Sequence, residues 1–292
     1  MRKITINLAA VAAFCIVVAS PALVSSSCAT PQTEQEDTTI IREDLGITAL
    51  KYSSPEVPSS IEFCGKVIDL SRFDRHERMD RELLAFTYMH STSLQMLKKA
   101  NRYFPIVEPI LKENGIPDDF KYLMVIESNM NPTARSSAGA AGLWQFMQGT
   151  GRDYGLEVNN NVDERYHIEK ATRAACRYLK DAYAKYKDWV AVAASYNAGQ
   201  ARIASQLAKQ DVDDSLDLQL VEETARYVYR ILAAKQLFSA PTTFGFRLRA
   251  SDLYPPIPYT EVTVTKGIAD LARFARSKGI NLAILKLSLI HI

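Results

Sequence analysis

The sequence predicts a mainly α protein that ends in a short α+β segment. Three observations carry this. Apolar residues recur at three- and four-residue spacing from Phe73 onward, the period of an amphipathic helix. Helix start and stop residues punctuate that pattern, and strand-like alternation is expected only from about Glu261-Val262-Thr263-Val264-Thr265. Five of the twelve glycines fall between Ala138 and Leu156, which marks one irregular, tightly turning surface among the helices.

The chain begins with Arg2 and Lys3 ahead of an apolar run from Leu8 to Ala19, followed by Pro21 and a small-residue stretch, Ser25-Ser26-Ser27-Cys28-Ala29. A positive start, a short apolar run and small residues describe a secretory leader rather than a bilayer-spanning helix. Two processing routes are open, cleavage after Ala29 or lipidation of Cys28. Ser25 stands where a lipobox has Leu, which favours plain secretion. An uncleaved N-terminal anchor is the remaining alternative. All three place the mature chain outside the cytoplasm.

Residues 30–62 are expected to be a polar tether, with Pro31, Pro55 and Pro58 and more acids than bases. A helical domain is expected over 63–246. Within it, Ile106, Val107, Ile110 and Leu111 form a stripe that stops at Asn114-Gly115. Pro117-Asp118-Asp119 opens a helix that runs to Glu127 and ends before Asn131-Pro132. A long helix carries Ile168, Ala171, Ala175, Tyr178, Ala182 and Tyr186. Another runs to Tyr196 with Gly199 as its cap, and a third carries Thr224, Val228, Ile231 and Leu232. Residues 247–292 read as a proline-punctuated linker and an α+β segment.

Composition narrows the function only broadly. The chain has 292 residues, 47% hydrophobic and 23% charged, which excludes disordered, collagen-like and disulfide-scaffold classes. A net charge of +2 gives no reason to expect nucleic acid as a partner. No cysteine pair has C-x-x-C spacing, and His76, His90 and His167 are scattered, so no metal or other cofactor is expected. Cys64 and Cys176 are the two cysteines outside the leader and could pair in an oxidising compartment.

Glu127 is the residue that could do chemistry. Leu123 and Met124 precede it by one helical turn on its own face, and burial against them would raise its pKa, as a general acid requires. On these residues alone a glutamate that reaches solvent at the helix end is the commoner case. The neighbouring blocks change that reading. Glu127-Ser128 is followed by Ser136 to Met147 with Gly142-Leu143-Trp144-Gln145, then by Ala194-Ser195-Tyr196-Asn197-Ala198-Gly199 and by Glu223-Thr224-Ala225-Arg226-Tyr227-Val228. Each block alone is weak, but four in one order over about a hundred residues are informative.

This order resembles the lytic murein transglycosylases of the goose-type lysozyme superfamily (glycoside hydrolase family 23, SLT domain), and within it the membrane-bound murein transglycosylase D type. The resemblance implies a lysozyme-like all-helical catalytic domain with a glycan-binding cleft. It also implies cleavage of the β-1,4 bond between N-acetylmuramic acid and N-acetylglucosamine in peptidoglycan, leaving a 1,6-anhydromuramoyl end. Glu127 would be the catalytic residue, acid then base. Ser136, Gln145, Tyr196, Asn197 and Tyr227 would bind the glycan, while Ser128 and Glu223 would support the site. Met130 and Ser195 stand where the family usually has an aromatic residue and an alanine.

The expected partner is the peptidoglycan glycan strand, met by a monomer exported to the periplasm or outer membrane. A lysozyme-like hydrolase and a non-catalytic peptidoglycan-binding protein are the alternatives. For the hydrolase, Asp153, Glu157, Asp163 or Glu164 would have to supply a second carboxylate. Trp144 and Trp189 are expected in the core or the cleft wall, and Tyr178, Tyr183 and Tyr186 in packing. The segment from Val262 resembles the start of a LysM-type glycan-binding module. The last six residues, Leu287-Ser288-Leu289-Ile290-His291-Ile292, can be encoded by a transposase-end adapter and are expected to be non-native, cutting that module short.

Overall fold

The computed structural model describes residues 53–212, 214–257 and 267–288. The leader, most of the tether and the stretch Glu261–Thr265 lie outside the described residues. Among the described residues no helix is long and apolar enough to cross a membrane.

The mainly α expectation holds, with ten helices over the described residues and one small hairpin. They are α1 (Phe73–Tyr88), α2 (His90–Glu113), α3 (Phe120–Ser128), α4 (Gln148–Asp153), α5 (Ile168–Tyr186), α6 (Trp189–Ala198), α7 (Gln200–Gln210), α8 (Glu222–Ser239), α9 (Leu271–Ser277) and α10 (Leu282–Ser288). α6 is the hub. Val190, Ala191, Val192, Ala193, Ala194 and Ser195 are all buried, and a helix that is apolar all round belongs in a core. Around it, α5 presents Leu179 together with Ala171, Ala174, Ala175, Cys176 and Ala182, whose small side chains let the helices approach closely. α8 contributes Val228, Ile231, Leu232, Ala233, Ala234 and Leu237 to the same core.

Two features depart from the sequence reading. A hairpin precedes α1, with β1 (Ser60–Phe63) antiparallel to β2 (Lys66–Asp69). Its two-residue turn, Cys64-Gly65, has positive φ at both positions (53° and 84°), the primed turn geometry that matches strand twist. Ile61 and Phe63 are buried, so core packing begins before residue 63, inside the stretch expected to be tether. The strands are four residues each, too short for alternation to stand out. The second departure is α4, where Gly149 and Gly151 sit inside a short helix; Gly139, Gly142 and Gly155 have the positive φ of turns.

The cysteines do not pair. Cys176 is buried in the core with its thiol against Ile110 O, and Cys64 lies in the hairpin turn. Burial pushes both thiols up, which disfavours the nucleophilic thiolate.

Candidate active site

Glu127 closes α3. Ser128 donates its hydroxyl to Met124 O at 3.2 Å, and the chain then reverses through Asn129 and Met130 with φ of 48° and 58°. Two successive non-glycine residues in the left-handed region are costly, by roughly 1–3 kcal/mol each. Met130 is fully buried, and that burial helps hold the reversal. The turn leaves the Glu127 side chain at the end of its helix, partly open to solvent, with its carboxyl enclosed by protein.

The phenol of Tyr227, on α8, donates to Glu127 Oε1. Burial dominates the electrostatics and pushes the Glu127 pKa up to about 7. The Tyr227 bond and the charge of Arg230 oppose that rise, while Glu223, exposed on α8, adds to it. The Tyr227 phenol is itself held well above its ordinary range, first by burial and then by Glu127. It therefore remains a donor at any pH of interest.

Tyr196 and Asn197 end α6. The Tyr196 hydroxyl donates to Trp144 O at 2.8 Å, and its ring packs on Tyr178 and Phe146 with centroids 5.1 and 6.1 Å away. Asn197 Oδ1 accepts from Thr224 Oγ1 at 2.9 Å. Thr224 and Tyr227 are one turn apart on α8, so one helix face holds both Asn197 and Glu127.

The loop between α3 and α4 forms the other wall. Gln145, at φ 47°, donates its amide to Ala134 O (3.2 Å) and Gly142 O (2.8 Å). Those protons close the loop and leave Oε1 as an acceptor. Ser136 Oγ accepts from Ala140 N–H at 3.0 Å. Gly142 is required here, because φ is +78° and a Cβ would stand 2.0 Å from Arg165 O.

Arg165, which the sequence reading missed, is buried and donates to Gly139 O (2.7 Å) and Phe146 O (3.0 Å), with Asp163 as its ion-pair partner. Glu164 pairs with Lys170 and accepts from Glu157 N–H. Two of the four candidate second carboxylates are thus committed to holding the loop. Trp144 is fully buried and donates to Thr172, and Trp189 stacks on Tyr183 at 4.0 Å.

Residues 105–217 match the family profile of the Transglycosylase SLT domain. That stretch of the chain is similar to a transglycosylase SLT domain. Helix α8, with Thr224 and Tyr227, lies beyond the matched span. Over 181 residues the chain is 30% identical to membrane-bound lytic murein transglycosylase D of Escherichia coli (strain K12), covering 60% of this chain and 39% of that protein. It is 29% identical over 150 residues to membrane-bound lytic murein transglycosylase C of Haemophilus ducreyi, covering 46% and 40%. Peptidoglycan transglycosylase gp16 of Escherichia phage T7 is 30% identical over 138 residues, covering 45% and 10%. Among solved structures, an inactive mutant of lytic transglycosylase Slt from Pseudomonas aeruginosa aligns with a TM-score of 0.41 at 21% identity, covering 49% and 24%. The chain therefore spans about two fifths, or less, of the length of these relatives.

Proposed function

We propose that the chain is a peptidoglycan lytic transglycosylase with Glu127 as acid and then base. The observation that carries this is a carboxyl held near pKa 7 by burial, with a single phenol on it and no cation bound to it. At neutral pH such a group is often protonated, so it can donate to the departing glycosidic oxygen.

The positive charge that develops at the anomeric carbon is met by the substrate's own 2-acetamido group. No enzyme nucleophile is then required. Glu127, now a carboxylate steadied by the Tyr227 phenol, takes the proton of the muramoyl C6 hydroxyl as that oxygen attacks. The C6–O–C1 bond forms, and the proton returns the acid to its starting state. An intramolecular hydroxyl has the advantage of proximity over water. The ion pairing of Asp163 and Glu164 speaks against a two-carboxylate hydrolytic route.

Gln145 Oε1 and the Asn197 amide supply polar contacts to the sugars, Tyr196 supports the Trp144–Gln145 backbone, and Ser136 shapes the loop. The proposed organisation keeps 1–29 as leader, a tether after it, the catalytic domain to about residue 246 and a C-terminal segment of LysM-like character. It places a monomer in the cell envelope, on glycan strands.

The test is digestion of purified peptidoglycan by wild type and Glu127→Gln, with mass spectrometry of the released muropeptides. Wild type should release 1,6-anhydro ends, and the variant should be slower by about 10³-fold. Reducing ends in place of anhydro ends would identify a hydrolase. Undiminished release by the variant would remove Glu127 from the mechanism.

A further inference from the structure

We infer that Thr224 is a positioning residue for this cleavage. Its hydroxyl fixes the Asn197 side chain so that the amide nitrogen, not the carbonyl, is presented to the substrate. The inference rests on the proposed function and gives a role to Thr224, which stands in the Glu223–Val228 block but had none assigned.

The argument begins with the single proton of a threonine hydroxyl. Inside a helix that proton ordinarily goes to the carbonyl four residues back. Thr87 does this with Leu83 O at 2.7 Å, and Thr172 with Ile168 O at 2.7 Å. Thr224 is the third residue of α8, so the residue four before it, Leu220, lies outside the helix. Its hydroxyl proton goes instead to Asn197 Oδ1 at 2.9 Å. Thr224 is 3% exposed, so water does not offer an easy alternative partner.

The consequence falls on Asn197. An asparagine amide can present either an acceptor or two donors, and the two orientations are nearly equal in shape. With Oδ1 held by Thr224, the Nδ2 donors are left over, and no described residue accepts from them. Asn197 is half-buried, which suits a group that waits for a ligand. Thr224 and Tyr227 are three residues apart, about 4.5 Å along the helix axis. Helix α8 therefore holds Asn197 and Glu127 from positions one turn apart. The ligand chemistry that fits is a carbonyl acceptor, as on the 2-acetamido group of the sugar that Glu127 works on. Without the hydroxyl the amide can turn over and present its carbonyl, which would repel the acceptor.

The test compares Thr224→Val, close in volume but without the hydroxyl, with Thr224→Ser, which keeps it. Both are assayed for cleavage of N-acetylated glycan and, in the inactive Glu127→Gln background, for binding to N-acetylated and to chemically de-N-acetylated glycan, with thermal melting of each variant. Thr224→Val should lose about tenfold in kcat/KM on acetylated glycan, the equivalent of one hydrogen bond of about 1.4 kcal/mol. In the binding assay it should weaken the hold on acetylated glycan and leave that on de-N-acetylated glycan little changed, and Thr224→Ser should stay within about threefold of its parent in both assays. Adding Thr224→Val to Asn197→Ala should cause no further loss. Equal losses of binding to both glycans, no loss of cleavage with Val, or additive losses in the double variant would overturn the inference. If Thr224→Val does not fold, Thr224→Ala carries the same comparison. Wild-type and Glu127→Gln controls run alongside. Inactive wild type or active Glu127→Gln indicts the proposed function, whereas normal controls with an indifferent Thr224→Val indict this inference alone.

Discussion

Two glutamates face α8, Glu82 buried and Glu127 half-buried, and they keep opposite company. Glu82, on α1, is 1% exposed and takes Arg226 Nε at 2.6 Å and Arg230 Nε at 3.5 Å. Glu127, on α3, takes only the Tyr227 phenol, while Arg230 acts on it as a charge without bonding to it. Arg226, Tyr227 and Arg230 all project from two turns of one helix. The same residue type in the same kind of surroundings thus does two jobs. The paired glutamate fastens α1 to α8, and the unpaired one can hold a proton at neutral pH. Docking of Arg230 on Glu82 also keeps that cation from becoming a direct partner of Glu127.

The sharpest way to break this contrast is to remove the structural carboxylate. Glu82→Gln leaves Arg226 and Arg230 without their buried partner, and breaking such a pair costs about 3 kcal/mol or more. Denaturant unfolding at pH 7 should show that loss. Replacing Glu82, Arg226 and Arg230 together by Met should restore most of it, because apolar groups of similar length leave no charge unpaired. A Glu82→Gln protein as stable as wild type would mean that the helix pair does not depend on these ions.

Glu127→Gln should move stability in the opposite direction, and only at high pH. A carboxyl with a pKa of about 7 when folded, against 4.5 as reference, binds more protons folded than unfolded between those values. Wild-type stability therefore falls as pH rises from about 4.5 to 7, by up to about 3 kcal/mol once the group is fully ionised. The uncharged variant escapes that cost. Unfolding curves at pH 4 should nearly coincide, and at pH 8 the variant should be the more stable protein. A constant difference across that range would show that burial does not hold Glu127 protonated. The catalytic counterpart is a rate that falls above pH about 7 as the acid form is lost.

The helical part of this architecture was legible because its signals are local. Asn114-Gly115 ends α2 and Gly199 ends α6 where cap chemistry requires, and the bounds of α5 follow its apolar stripe. Glu127, Tyr196, Asn197 and Tyr227 were readable from their blocks, and the fold brings their helices α3, α6 and α8 together. What was not legible is the support between them. Arg165 lies about twenty residues from the carbonyls it holds, and Thr224 is 27 residues from Asn197. Nothing in local periodicity announces such pairings. Gln145 shows the same limit within a motif, since its position is readable but the commitment of its amide protons to Ala134 and Gly142 is a property of the folded loop. The Cys64-Gly65 turn is the contrary case, a local signal hidden by strands of four residues.

The smallest expected effect is the most direct probe of the unpaired glutamate. The Tyr227 hydroxyl donates to Glu127 and so stabilises the carboxylate, opposing the rise that burial causes. Tyr227→Phe removes that donor and keeps the ring in its buried site. The pKa of Glu127 should then climb further, by roughly half to one pH unit for a bond worth about 1 kcal/mol. The alkaline limb of the pH–rate profile should shift upward by that amount. The rate at its plateau should fall several-fold, because the carboxylate formed midway through the reaction loses the one hydrogen-bond partner it has among the described residues. The two effects have opposite signs at alkaline pH, which makes the profile more informative than any single rate. A limb that stays in place or moves down would mean that the phenol does not act on the carboxylate. The distinction between Glu127 and Glu82 would then rest on burial and on Arg230 alone.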